Sequence, residues 1–254
     1  MEVNGITDKN YNKTVSLIGK VVSMPLVRVN RKEFLSRESS EVSDERLYKI
    51  IHEGPQSVYT PDELEMRANK LIKKNILETA GTSFLAGLPS NPVTASASAG
   101  ADIIQYFGFA IHLAQQLCYL FGKDELFSEN NKLTENGQEA LIIYLGIMLG
   151  VSSANSGLMF VSRRFGGTAE KKIAKTAVTQ TAWYPILKKV GNAIGIKITK
   201  QSTGKFLTKA IPVLGGIVSG GLTFISFKPM GMKLEKALKK GLESDPIIVE
   251  GEIM

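Results

Sequence analysis

Five residues with polar or aromatic side chains recur at helical spacing in the middle of the chain. They are Asp102, Gln105, Phe109, His112 and Gln116, and intervals of three and four residues place them along one stripe of a helix. A polar stripe on an apolar helix is suited to binding a polar ligand, lining an aqueous cleft or bonding to a neighbouring helix. The alternatives are the solvent face of an amphipathic helix and, for Asp102, a helix cap. We take Asp102, Gln105, His112 and Gln116 as candidate ligand-binding residues.

Catalytic and metal chemistry find little support in the sequence. The two histidines, His52 and His112, are far apart and neither has a second ligand at a recognised metal-binding spacing. Cys118 is the only cysteine, which excludes an intramolecular disulfide and a thiolate cluster and fits a reducing compartment. The serines at 155–158 and 218–221 lack the Gly-x-Ser-x-Gly pattern of a nucleophile elbow. We therefore predict no catalytic residue, no metal site and no cofactor.

Paired glycines near residue 220 resemble a phosphate-binding loop at first sight. Gly215, Gly216, Gly220 and Gly221 lack the closing Gly-Lys-Ser/Thr and the preceding buried strand that such a loop needs. Intervals of four and five residues instead predict a smooth helical groove in which another helix packs closely. We assign these glycines to helix packing.

The net charge of +7 is concentrated after residue 160. Residues 160–243 carry 16 basic and 3 acidic side chains, whereas residues 81–159 carry 2 basic and 6 acidic ones. Such an excess attracts phospholipid headgroups, nucleic acid or acidic protein surfaces, and its alternative is a solvated lysine-rich helix face. The predicted membrane or anion contacts are Arg163, Arg164, Lys171, Lys172, Lys175, Lys188, Lys189, Lys205, Lys209 and Lys228.

Nucleic acid is not the expected partner of this basic region. Among the 16 basic residues of 160–243, only Arg163 and Arg164 are arginines, and Trp183 and Tyr184 are not interleaved with basic residues as a stacking platform. Lysines that flank apolar helices are better explained as anchors beside anionic lipid, each contributing about 1 kcal/mol near the surface. An anionic membrane surface or a membrane protein is the expected partner.

Local signals predict where several helices begin and end. Apolar residues at helical spacing predict a helix over residues 12–24 that stops at Pro25. Ser43 is a predicted N-cap for a helix that ends near His52. Thr60, followed by proline and by glutamate at the third position, is the clearest helix start in the chain. The one strand candidate, residues 194–200, is equally well explained as the end of a helix.

Four uncharged or nearly uncharged runs cover residues 79–101, 103–122, 140–162 and 210–227. Each has about 18–23 residues, the length that spans a bilayer, but glycine, serine, threonine and asparagine dilute all of them. We favour buried helical hairpins, the first turning at the prolines of residues 88–92, over constitutive transmembrane helices. The predicted fold is an all-α, compact multi-helix bundle with glycine-rich helical hairpins.

Two segments resemble the EcsC family of bacterial proteins. AGLPSNP at 86–92, followed by AGADIIQYFGFAIHLAQQLCYLFGKD at 99–124, is similar to the central pattern of that family. KAIPVLGGIVSGGLTFISFKPMG at 209–231 resembles its C-terminal signature, and VRVNRKEFL at 27–35 resembles an N-terminal element of one subgroup. The family is named for a gene beside an ABC-transporter ATPase and permease, and its molecular activity is not established. The resemblance implies an all-α domain in the bacterial cytoplasm.

Three regions follow from these patterns: an N-terminal helical extension (1–58), an EcsC-like helical domain (59–243) and an acidic C-terminal tail (244–254). The polar N-terminus lacks the apolar region of a signal peptide, which argues against secretion. We predict a non-enzymatic protein on the inner face of the bacterial cell membrane, peripheral or partly inserted, as an accessory to a transporter or envelope process. The alternative is a soluble helical protein that binds a lipid or small apolar ligand. The oligomeric state stays open.

Overall fold

The computed structural model describes residues 2–24, 26–80, 99–165, 180–202 and 220–243. Within these ranges the fold is all-helical, with one single-turn 3₁₀ helix at Pro55–Ser57 and an isolated bridge between Phe127 and Leu133. The α-helices are α1 Glu2–Val22, α2 Arg31–Glu38, α3 Asp44–His52, α4 Pro61–Ala80, α5 Ala99–Leu120, α6 Glu135–Met148, α7 Ser152–Phe165, α8 Gln180–Ser202 and α9 Gly220–Glu243.

The predicted starts of α3 and α4 are confirmed, whereas α1 begins at Glu2, ten residues before its predicted start. At the start of α4, the Glu63 carboxylate accepts the Thr60 N–H at 2.8 Å, and Thr60 Oγ1 accepts the Glu63 N–H at 3.3 Å. This reciprocal pair is the expected capping box. Ser43 occupies the N-cap position of α3, although its side chain makes no capping bond. Residues 194–200 lie inside α8, so the strand alternative is wrong.

Helix α6 is the centre of the hydrophobic core. Every residue from Ala140 to Met148 is buried, and helices α1, α5, α7, α8 and α9 all pack around it. The uncharged run 140–162 contains the buried α6 and the first turns of α7, on which Asn155, Ser156 and Met159 are exposed, so the buried glycine-rich hairpin stays a prediction. Within the described ranges, none of the helices combines the length and the hydropathy needed to cross a bilayer.

Close helix crossings depend on glycines that the sequence interpretation did not single out. A Cβ atom on Gly195 of α8 would stand 2.1 Å from the Asn10 carbonyl oxygen of α1. A Cβ on Gly146 of α6 would stand 2.4 Å from Val190 Cγ1. Of the predicted packing glycines, Gly220 and Gly221 begin α9 and Gly215 and Gly216 lie outside the described residues.

Helices α4 and α9 form a second close pair. Lys239 Nζ lies 2.6 Å from both Asp62 Oδ1 and Glu65 Oε2, and a Cβ on Gly231 would touch Ile72. Helices α1 and α2 contribute to the same core, through residues such as Ile18 and Phe34. The predicted division of the chain at residue 58 stays a prediction.

Candidate functional site

The predicted polar stripe lies on α5, and its histidine is used inside the protein. His112 Nδ1 lies 3.2 Å from the Val27 carbonyl oxygen, and its Nε2 lies 3.0 Å from Gln116 Nε2. These contacts fit a neutral imidazole that donates from Nδ1 to Val27 and accepts from Gln116 at Nε2. Burial lowers the pKa of His112, which favours the same neutral form. Both ring nitrogens are engaged, so His112 holds the chain segment before α2 against α5.

Gln115, next to the predicted stripe, makes the stronger link to this segment. Its side chain is fully buried; Oε1 accepts the Val29 N–H at 3.0 Å, and Nε2 donates to the Val27 carbonyl at 2.8 Å. Together these bonds satisfy the backbone groups of Val27 and Val29 and hold residues 26–30 against α5. The sequence interpretation missed Gln115 because it lies one residue off the stripe. A glutamine inside an uncharged run was the available signal.

The rest of the stripe is partly buried. Phe109 packs against Phe227 of α9 with ring centroids 4.2 Å apart, and Gln116 is 5% exposed. The solvent-face alternative is therefore wrong for both. Gln116 Oε1 is buried with no hydrogen-bond partner among the described residues. Asp102 and Gln105 lie on the first turns of α5 with side chains outside the described part, so ligand binding by this stripe stays a prediction.

A second polar network surrounds the connection after α5. Tyr119 donates to Glu125 Oε1 at 2.6 Å, and the same oxygen accepts the Leu126 N–H at 3.0 Å. Arg31 donates to the carbonyls of Lys123 and Ile51. Each of these groups is satisfied by a structural partner. The network braces the loop and offers no nucleophile.

Reactive cysteine and metal chemistry have no geometric basis in the described residues. Cys118 is fully buried and donates to the Gln115 carbonyl, and burial raises the pKa of its thiol. A thiol of raised pKa and no solvent access is a poor nucleophile. No group of three potential metal ligands occurs in the part of the chain that the structure describes.

Three of the ten predicted membrane or anion contacts have described side chains. Lys188 forms an ion pair with Asp8 and lies 5.0 Å from the ring of Tyr184, so α1 partly neutralises its charge. Lys189 and Lys228 are exposed. Arg163 and Arg164 lie on α7 with side chains outside the described part. The remaining five lie outside the described residues: Lys171, Lys172, Lys175, Lys205 and Lys209.

Two lysines absent from that predicted set meet at the α6–α7 corner. Lys197 of α8 donates to the Leu149 carbonyl oxygen, and Lys233 Nζ of α9 lies 3.3 Å from the position of a Cβ on Gly150. Burial and the neighbouring charge of Lys233 lower the pKa of Lys197. Neither ammonium group pairs with a carboxylate of the described residues. Within the described residues, the corner thus holds two positive charges that no carboxylate neutralises, at the C-terminal end of α6.

The positive charge continues along α9. Lys233, Lys236 and Lys240 are exposed at intervals of three and four residues, whereas Leu234 and Leu238 on the opposite face are buried. We call Lys197, Lys233, Lys236 and Lys240 the lysine face. The sequence interpretation missed it because residues 197 and 233 lie on different helices and only the fold brings them together.

Comparison of the chain with models of protein families, with curated proteins and with solved structures found no match. The EcsC resemblance therefore stays a prediction carried by the segments quoted above. The lysine face and the α5 stripe are the two candidate functional sites of the described structure.

Proposed function

We propose that this protein is a non-enzymatic helical protein that docks on anionic membrane surfaces through the lysine face. The observation that carries the proposal is the meeting of Lys197 and Lys233 at the α6–α7 corner without a carboxylate of the described residues between them. The two ammonium groups lie beside the adjacent residues Leu149 and Gly150, and an external anion relieves the repulsion between them. Lys236 and Lys240 extend the same positive field along α9.

The size of the effect suits reversible docking. Each lysine near an anionic bilayer contributes about 1 kcal/mol, so Lys197, Lys233 and Lys236 contribute roughly 3 kcal/mol, somewhat less than a millimolar dissociation constant represents. Ile196 is 38% exposed and precedes Lys197 on α8, so it offers an apolar contact beside the charges. Docking of this strength responds to salt and to the fraction of anionic lipid.

The wider assignment belongs to the same proposal. The protein acts at the inner face of the bacterial cell membrane, peripheral or partly inserted, as an accessory to a transporter or envelope process. The EcsC relationship and the glycine-rich helical hairpins are proposed with it. The basic composition after residue 160 and the segments that resemble the EcsC family support this assignment.

Vesicle flotation with matched double variants tests the docking surface. Lys233→Gln with Lys236→Gln removes two charges from the lysine face, and Lys32→Gln with Lys132→Gln removes two exposed charges elsewhere. Lys132 lies just before the start of α6, whereas Lys197 and Lys233 lie at its other end, about 21 Å away for a helix of this length. Both variants have the same net charge.

The expected result is selective loss of binding. At about 1 kcal/mol per lysine, the lysine-face variant partitions onto anionic vesicles roughly 25-fold more weakly than the wild type, and the control stays close to the wild type. Equal recovery of the wild type on neutral and anionic vesicles refutes the electrostatic mechanism. An equal loss in both variants refutes the assignment to this face.

A second candidate function is binding of a lipid or small apolar ligand by a soluble form of the protein. The unpartnered, buried Gln116 Oε1 on the α5 stripe favours it, because a ligand donor would satisfy this atom. Solvent extraction of the purified protein followed by mass spectrometry tests it. A stoichiometric ligand that is lost in Gln116→Met supports the second candidate, and an extract without one argues against it.

A further inference from the structure

We propose that α1 supplies a second row of lysines to the membrane-docking surface, and that Ile196 of α8 enters the headgroup region between this row and the lysine face. The row consists of Lys9, Lys13 and Lys20, all exposed, and we call it the α1 lysine row. The inference rests on the proposed function and extends the same surface onto a third helix. The partner is the surface of an anionic bilayer.

The α1 lysine row lies on one side of its helix. Intervals of four and seven residues place its three members along a single stripe of α1, and the opposite side is buried through Thr14 and Ile18. Among the described residues no carboxylate forms an ion pair with the row, and Asp8 is engaged by Lys188. The stripe therefore presents three positive charges to the solvent.

One contact joins the row to α8. Lys13 Nζ donates to Thr199 Oγ1 at 3.1 Å, and the Thr199 hydroxyl donates to the Gly195 carbonyl at 2.9 Å. Lys197 of the lysine face precedes Thr199 by two residues, and two residues turn an α-helix by about 200°. Lys13 and Lys197 therefore flank α8 on opposite sides, separated by about the 10–12 Å diameter of a helix. The row and the lysine face border one surface that crosses α8.

Ile196 lies on the part of α8 between these two borders. It stands about 60° from Thr199 and about 100° from Lys197 around the helix axis. Its side chain is 38% exposed, and Lys189, two turns earlier on the same side, is also exposed. The sequence of α8 contains no acidic residue. An exposed apolar side chain is thus surrounded by positive charge from three helices.

The spread of the charges selects the partner. Lys9 and Lys20 are eleven residues apart, about 16 Å along α1, and the lysine face lies a helix diameter away across α8. One small anion does not reach charges that far apart, whereas an anionic bilayer presents headgroups over the whole area. Apolar side chains among lysines are typical of protein surfaces that lie in the membrane interface. The combination matches a bilayer surface.

Partition of the full chain onto phosphatidylcholine vesicles that contain phosphatidylglycerol tests the α1 lysine row. Lys13→Gln with Lys20→Gln removes two of its charges, and Lys32→Gln with Lys132→Gln is the control of equal net charge. Glutamine still carries a donor for Thr199, so the contact between α1 and α8 is retained. We expect the row variant to bind roughly 25-fold more weakly than the wild type, and the control to bind as the wild type does.

Comparison with the Lys233→Gln/Lys236→Gln variant separates this inference from the proposed function. Loss of binding in both double variants supports both. A loss confined to the Lys233→Gln/Lys236→Gln variant overturns the α1 lysine row and leaves docking through the lysine face standing. A loss confined to the row variant supports the row and refutes the lysine face. A wild type that binds a single-stranded oligonucleotide but no anionic vesicle overturns both.

Tryptophan fluorescence tests the position of Ile196. Trp183 is the only tryptophan and is 4% exposed, so its emission is a constant background. In Ile196→Trp, we expect emission to shift to shorter wavelength on anionic vesicles and to be quenched by lipids with brominated acyl chains. Tyr48→Trp, at an exposed position on α3, should show neither effect. Equal responses in the two variants, or an unshifted Ile196→Trp on vesicles that bind it, overturn entry of Ile196 into the headgroup region.

Discussion

Replacing Gln115 by methionine is the sharpest test of how the chain before α2 is held. The side chain of Gln115 is fully buried and makes hydrogen bonds to Val29, Val27 and Ile111. Methionine has a similar length and no branched atoms, so it fills the space without supplying the donor or the acceptor. The substitution isolates the polar contribution of one side chain.

The expected loss of stability follows from the backbone groups that lose their hydrogen bonds to Gln115. The Val29 N–H loses its acceptor inside the protein, which costs about 1–3 kcal/mol. The Val27 carbonyl keeps His112 as a donor, and losing the Gln115 donor costs a further 0.5–1.5 kcal/mol, roughly. We expect the free energy of unfolding to fall by about 3 kcal/mol, or roughly 6–12 °C in Tm for a chain of this size.

Urea unfolding followed by far-ultraviolet circular dichroism measures this change, and Gln116→Met is the matched control. Gln116 is also buried, but its Oε1 has no partner among the described residues. The control loses the bond to His112 and removes an unsatisfied oxygen, so its stability changes by less than about 1 kcal/mol. Equal stability losses in the two variants refute the idea that Gln115 anchors residues 26–30.

Three further predictions concern helix packing and buried charge. Gly195→Ala forces a Cβ onto the Asn10 carbonyl and should destabilise the protein by about 1–3 kcal/mol, whereas Gly19→Ala, with open space around it, should stabilise α1 by roughly 0.5–1 kcal/mol in thermal unfolding. Because burial lowers the pKa of folded His112 from 6.5, the unfolded chain binds the proton more readily. The free energy of unfolding therefore has its full value above about pH 6.5 and decreases as the pH falls below it. His112→Gln should reduce this dependence on pH in urea titrations. Burial raises the pKa of Glu235 from 4.5, so its unfavourable contribution grows as pH rises above that value. Glu235→Gln should therefore be more stable than the wild type at neutral pH and equal to it near pH 4, and a gain at both pH values would contradict this origin.

Local signals predicted the elements of this fold better than their contacts. The capping box at Thr60 and the N-cap position of Ser43 were found because a helix start depends on neighbouring residues in the chain. Helix α1 extends back to Glu2, ten residues before the predicted start. Its first half has little apolar periodicity and is held by packing on α8, for which Gly195 makes room.

The candidate sites depended on contacts between distant residues, and the sequence analysis located them only in part. The α5 stripe was predicted as a ligand site, but the Nδ1 atom of His112 bonds to the Val27 carbonyl inside the protein. Lys197 and Lys233 are 36 positions apart and become neighbours only because the α6–α7 corner lies between α8 and α9. Paired glycines predicted helix packing at residues 215–221, whereas the close approach between α1 and α8 occurs at Gly195. Interhelical distance is set by the partner helix, which no local pattern reveals.

The partition coefficient onto vesicles, measured against the fraction of anionic lipid, is the most direct test of membrane docking. The wild type and the Lys32→Gln/Lys132→Gln control should bind increasingly as that fraction rises. The Lys233→Gln/Lys236→Gln variant, at the same net charge, should show a much shallower rise. Three coincident curves, or a wild-type curve that does not rise with anionic lipid, would contradict docking through the lysine face.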